Sequence, residues 1–146
     1  SIEAAFGRLC FFREKELPVY YHPKQGDVLI CDFTRGFVPP EMMKVRKVVV
    51  VSPTATHRRR RCTVVPISST APHAEEAWHH LLRVNPVESD GHVSLWVKGD
   101  MLYTVSLDRL DKPHRKTRKG REYFVPKLAP DDLQGVFRCV RAYLPL

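Results

Sequence analysis

No stretch of this 146-residue sequence approaches the about 18 consecutive apolar residues that a membrane-spanning helix needs. None of the four cysteines, Cys10, Cys31, Cys62 and Cys139, forms a C-x-x-C pair, which argues against a zinc knuckle. Each cysteine sits in an apolar run, the setting of a small buried hydrophobe in a reducing compartment. A signal-peptide pattern is missing too, because Glu3 and Arg8 interrupt the apolar residues from Ile2 to Phe12. Repeats and low-complexity tracts are absent. The expectation is a cytoplasmic protein with no membrane partner. Acids are scarce: 16 Asp and Glu against 24 Lys and Arg give a net charge of +8 and a pI near 9.6. From Lys112 to Arg121 there are basic residues and no acid at all. Such an excess favours a polyanionic partner, nucleic acid first.

The length suits one domain, or one domain with an appendage, and 43% apolar content is enough for a core. Three β-branched runs lie close together, at Asp27 to Phe33, Val45 to Val51 and Cys62 to Thr70. Runs of this kind between turn residues read as strands. Four consecutive valines, Val48 to Val51, exceed what a half-exposed strand needs, so the second run is expected at the centre of a sheet. Val93 to Val97 and Met101 to Val105 read as further strands around a Lys98-Gly99-Asp100 turn. Lys112 to Arg121 reads as an exposed loop, and Glu122 to Val125 as a short edge strand ended by Pro126.

Helical spacing of Ile2, Ala5, Phe6, Leu9 and Phe12 predicts a helix over residues 1–14 that stops before Pro18. Residues 1–23 are then a helical and extended appendage to a domain spanning 24–146. Pro130, Asp131 and Asp132 start a second helix, with Leu133, Val136, Phe137, Val140, Tyr143 and Leu144 as its apolar stripe. It either covers one face of the sheet or pairs with its copy in a dimer. The spacing from Glu75-Glu76 to His79-His80 looks helical as well. Adjacent histidines cannot share one helix face, and no third ligand is evident, so no metal is expected.

The polar groups of the three strands fall at particular ends. Arg46 opens the second run, and Ser68, Ser69 and Thr70 close the third. If these strands are antiparallel neighbours, the guanidinium and the hydroxyls meet at one end of the sheet. A permanent cation beside hydroxyls suits a phosphodiester. The loop between the first two strands carries Arg35, Phe37 and Lys44, a mixture of charge and ring that suits single-stranded nucleic acid. Phe37 equally suits packing into the core. The four arginines Arg58 to Arg61 read either as a solvated turn or as a lip that contacts phosphate.

These residues resemble the MazF/PemK-like toxins of type II toxin–antitoxin systems. The likeness begins at Gly26-Asp27-Val28 with the Asp32-Phe33 strand end, and continues through Val45-Arg46-Lys47-Val48-Val49-Val50-Val51-Ser52-Pro53. It takes in Val64-Val65-Pro66-Ile67-Ser68-Ser69-Thr70, the run from Asp100 to Leu110, and Leu128-Ala129-Pro130-Asp131-Asp132-Leu133. It covers the chain from about residue 24 onward. Lys47 stands where the family usually has proline, and Asp100 where many members have glutamine.

The resemblance implies a mainly β fold, an SH3-like small antiparallel barrel with a C-terminal helix. It implies a homodimer that cleaves single-stranded RNA at a short sequence without metal or other cofactor. It also implies a cognate antitoxin that blocks the RNA groove, with operator DNA as a further partner of the toxin–antitoxin pair. By position, Arg46 matches the catalytic arginine and Ser68 the catalytic threonine or serine. Phe33, Arg35, Phe37, Lys44, Lys47, Ser69 and Thr70 are the expected RNA contacts. RNA supplies its own nucleophile, the 2′-hydroxyl, so the protein needs to position the backbone and stabilise the phosphorane. The alternatives are a nucleic-acid-binding barrel without catalysis, an inactive toxin homologue, and a ribonuclease using a histidine pair among His73, His79, His80 and His92.

Overall fold

The computed structural model describes residues 21–87 and 94–145. The helix expected over residues 1–14 lies outside them, as does Cys10. Val28–Asp32 (β1), Val45–Val50 (β2) and Arg61–Ser68 (β3) form an antiparallel meander. The side chains of β2 alternate between two cores. Val48 and Val50 join Leu29, Cys31, Phe33 and Val64 on one face, and Val49 joins Val28, Val65 and Ile67 on the other. A strand with both faces buried has no polar side to show, which accounts for the valine run.

The outer strands are short. Trp96–Lys98 (β5) pairs the second half of β3, and Tyr103–Ser106 (β6) pairs its first half. His79–Leu81 (β4) lies outside β5, and Leu110–Asp111 (β7) lies outside β1. The order is β4-β5-β3-β2-β1-β7, with β6 beside β3. The expected SH3-like barrel is therefore not closed. Its terminal strands have only three and two residues, too few to ladder across the gap, and no pairing joins them among the described residues.

Two local expectations are corrected. The helical spacing at Glu75 to His80 is in fact a turn leading into β4, because His80 and Leu81 pair with Val97 and Trp96. The basic stretch read as a loop holds His114–Thr117 (β8) and the start of Gly120–Tyr123 (β9), a two-stranded hairpin whose last residues, Glu122 and Tyr123, lie in the expected edge strand and whose strands are exposed throughout.

Pro130–Tyr143 (α1) is the helix foreseen from its Pro-Asp-Asp start. It covers one sheet face, where Val136 joins the cluster of Val28, Val49 and Val65. Its first turn also carries the buried Asp132, which accepts backbone N–H groups from Arg83 and Val84 and faces His80 Nε2 at 3.0 Å. Burial alone would raise this carboxyl. The Arg83 N–H, His80 and the Val84 N–H outweigh it and hold Asp132 below the usual carboxylate range. Gly135 makes the contact with His80 sterically feasible, since a Cβ there would fall on the imidazole ring.

The Gly26-Asp27 pair has a structural task. Gly26 adopts a φ of +91° that favours glycine, and its N–H reaches Val50 O at 2.7 Å. Asp27, 1% exposed, collects the Tyr21 hydroxyl, the Lys24 N–H and the Lys127 ammonium. Burial, that hydrogen bond and the carboxylate charge together push the Tyr21 phenol well up. Cys31, Cys62 and Cys139 are buried thiols. Burial raises Cys62 to about 12 and also raises Cys139, although Arg138 acts against the latter shift.

Candidate functional site

β1, β2, β3 and β5 all present the same end of the sheet at Asp32, Val45, Ser68 and Trp96. The β2–β3 register pairs Lys47 with Ile67, so one step further along the ladder sets Arg46 opposite Ser68. Cys31 lies beyond Arg46, and Trp96 and Leu81 lie beyond Ser68. Residues opposite one another in a ladder project to the same face. The strand pairing thus sets the cation and the hydroxyl, which the sequence placed on separate runs, on adjacent strands one residue beyond the last pair of the ladder.

An open cleft wraps these strand ends and is lined by Ile30, Val45, Arg46, Lys47, Ile67, Ser69 and Leu95, while Ser68 does not line it. No carboxylate lines it. Arg46 is half-buried, and its Nε is a buried donor with no hydrogen-bond partner among the described residues. Ser68 is 7% exposed, and its Oγ accepts the Thr70 N–H at 3.1 Å. Its own hydrogen remains to be donated. Ser69 and Thr70 are exposed at the rim, and Lys47 is half-buried beside Ile67.

The remaining residues expected at RNA divide by burial. Arg35 and Lys44 are exposed on the loop that overhangs this end of the sheet. Phe33 does not face solvent. It is fully buried, with Phe37 at 5.4 Å and Tyr103 at 5.2 Å between ring centroids, so its expected contact with RNA is withdrawn. Phe37 is half-buried in the same cluster, with the Arg109 guanidinium 4.6 Å above its ring. Tyr103 also accepts the Met42 N–H at 3.0 Å, and Arg109 donates to Asp32 O at 3.1 Å. This aromatic cluster holds both ends of the loop.

Trp96 was not legible as a site residue. It is half-buried and next to Ser68 in the ladder. Only the order of the strands shows this, because 27 residues separate the two in the chain and β5 lies between its sequence neighbour β4 and the end of β3. His80 is committed to Asp132 and His79 to the Glu76 N–H, so neither of these histidines belongs to the cleft. Among the described residues no group of His, Cys, Asp or Glu could hold a metal ion, and no helix is long and apolar enough to cross a membrane.

Comparison with known proteins completes the description. A family model, PemK-like, MazF-like toxin of type II toxin-antitoxin system, matches residues 24–144. The uncharacterized protein YifN of Escherichia coli (strain K12) is 25% identical, covering 86% of this chain and 97% of its own. MazF from Deinococcus radiodurans superposes with a TM-score of 0.63 at 20% identity, over 86% of this chain and 99% of that one. An endoribonuclease from a mycobacterial species, solved in complex with its cognate antitoxin, gives 0.60 at 17% identity over 85% and 96%.

Proposed function

The chain belongs to the PemK-like, MazF-like toxins of type II toxin–antitoxin systems, and from that premise we propose that it is an active endoribonuclease that cuts single-stranded RNA at a short sequence without metal. The observation that carries this reading is the buried, unpartnered Nε of Arg46 in a cleft free of carboxylates, with Ser68 one residue beyond the last β2–β3 pair, Lys47 and Ile67. In the reaction the 2′-oxygen forms a bond to phosphorus and the bond to the 5′-oxygen breaks. The 2′-hydroxyl gives up its proton and the leaving oxygen takes one up. The products are a 2′,3′-cyclic phosphate and a 5′-hydroxyl.

Arg46 binds the phosphoryl oxygens and stabilises the charge that builds on them. Its charge is fixed and its planar fork donates two hydrogen bonds. Ser68 donates its remaining hydrogen to the substrate and fixes the 2′-hydroxyl or a phosphoryl oxygen. Lys47, Ser69 and Thr70 line the path of the backbone, with Arg35 and Lys44 reaching it from the loop. The half-buried Trp96 offers a ring on which a neighbouring base stacks. The D. radiodurans and mycobacterial structures include antitoxin complexes. By that likeness a cognate antitoxin covers this cleft; a homodimeric active form and operator DNA binding by the toxin–antitoxin pair are part of the same proposal.

The test is to incubate the protein with a long single-stranded RNA in EDTA and map the ends, alongside Arg46→Ala, Ser68→Ala and Ser69→Ala. Cuts at one short sequence that vanish in Arg46→Ala and fall further in Ser68→Ala than in Ser69→Ala are expected. Removing one preorganised donor from such a site typically costs about 10²–10³ in rate. Intact RNA that still binds would replace this reading with a binding module or an inactive toxin homologue.

A further inference from the structure

The other end of the β2–β3 pair carries a second polar cleft, lined by Ser52, His57, Arg58, Arg61, Thr63 and Thr104. Seven strand steps separate Arg61 from Ser68, about 23 Å at roughly 3.3 Å per residue. It is therefore a different place from the Arg46 cleft. We propose that this second cleft is a phosphate-binding site, taking either a free phosphate or phosphomonoester or a phosphodiester of a nucleic-acid backbone. The inference does not depend on cleavage at Arg46.

The turn that builds the cleft is unusual. Arg59 and Arg60 both adopt left-handed backbone, at φ 56° and 54°. For residues other than glycine this backbone is strained. Its effect is to divide four consecutive arginines. Arg60 turns away to meet Asp108 at 2.7 Å, while Arg58 and Arg61 line the cleft. No carboxylate lines it, so both guanidiniums act in a setting without a competing acid.

The cleft floor is prepared in the same sense. Ser52 Oγ accepts the Thr63 N–H at 2.9 Å and lies 2.6 Å from His57 Nε2. In the tautomer in which Ser52 donates to Nε2, His57 Nδ1 carries the ring hydrogen. Nδ1 is buried with no partner among the described residues. A buried donor left unpaired is destabilising, and an oxyanion in the cleft satisfies it. Thr63 and Thr104, opposite one another in the β3–β6 ladder, share a hydrogen bond between their hydroxyls at 2.8 Å, which leaves one hydroxyl hydrogen to donate. Two guanidiniums, an imidazole N–H and a hydroxyl match the oxygens of a phosphate group.

The experiment follows the His57 imidazole resonances by NMR in the full chain. Inorganic phosphate is titrated first, and then a single-stranded DNA oligonucleotide, at constant ionic strength held with chloride. Saturable movement with inorganic phosphate assigns the site to free phosphate or a monoester. Movement with the oligonucleotide alone assigns it to the backbone. In either case Arg58→Ala and Arg61→Ala should each weaken binding by about tenfold or more, the loss expected for one charged hydrogen bond. Arg59→Ala removes the same charge from a residue that does not line the cleft, and should leave binding essentially unchanged. No movement with either probe, or an equal loss in Arg59→Ala, would overturn the assignment.

Discussion

Asp132 in the first turn of α1 faces His80 of β4 at 3.0 Å, and this single pair fastens the helix to the outermost strand of the sheet. The same carboxylate accepts the N–H groups of Arg83 and Val84, so it also fixes the chain as it leaves β4.

The carboxyl of Asp132 is held below its ordinary range, so its contribution to stability is present above about pH 4, the unfolded value. That contribution is lost as the pH falls through the lower folded value. Denaturant titrations from pH 7 to pH 2 should show this loss in the native protein and not in Asp132→Asn. The variant should already be less stable at pH 7 by roughly 1–3 kcal/mol, since buried N–H donors lose an ionised acceptor. Gly135→Ala should act on the same pair from the other side, because its methyl group displaces the His80 ring. Equal pH dependence in the native and Asp132→Asn chains would show that the pair does not govern acid stability.

The aromatic cluster at the loop predicts different outcomes for two neighbouring rings. Phe33→Ala should cost roughly 3–5 kcal/mol, the usual loss for a fully buried phenylalanine. Phe37→Leu keeps most of the packing, so its stability should fall by less than about 1.5 kcal/mol. If the ring of Phe37 serves to hold the loop, RNA affinity is unchanged in Phe37→Leu. A large loss of affinity with little loss of stability would make Phe37 a ring that stacks on a base.

The exposed β8–β9 hairpin predicts a salt effect. It carries Arg115, Lys116, Arg118, Lys119 and Arg121, with Arg115 4.3 Å over the Phe124 ring. If Lys116, Arg118, Lys119 and Arg121 contact backbone phosphates, replacing each by alanine should reduce the slope of log affinity against log salt by about 0.7 for single-stranded RNA. Binding curves at several salt concentrations give that slope directly. An unchanged slope would take the hairpin out of the RNA interface.

The elements legible in the sequence are those whose apolar spacing is tied to burial. β1, β2, β3 and α1 bury regular faces, and their residues declare it. β8 and β9 bury nothing: their eight residues are exposed and half are charged, so only Glu122 and Tyr123, at the end of β9, read as strand. At β4 the spacing of two acids and two histidines imitated a helix, and a tertiary pairing with β5 decided otherwise. Arg46 and Ser68 could be named because each opens or closes a strand, but their meeting depended on the register of β2 against β3. Phe33 was misplaced because a ring at a strand end looks the same in sequence whether it turns toward the core or toward solvent. Asp132 read as a residue suited to the helix dipole. Its hydrogen bonds to residues about fifty positions earlier have no local signature.

The buried Asp27 is joined to Lys127, one hundred residues later in the chain. β1, β2 and β3 can pair as soon as they have been synthesised, because their contacts are near in sequence. The carboxylate at the head of β1 lacks its ammonium, and the segment that pairs beside it, until the chain has passed the hairpin. A buried charge deprived of its partner is strongly destabilising. The order of synthesis therefore places the completion of this sheet near the end of translation. A chain released early, with Arg46 and Ser68 already made, should not hold them in a stable fold.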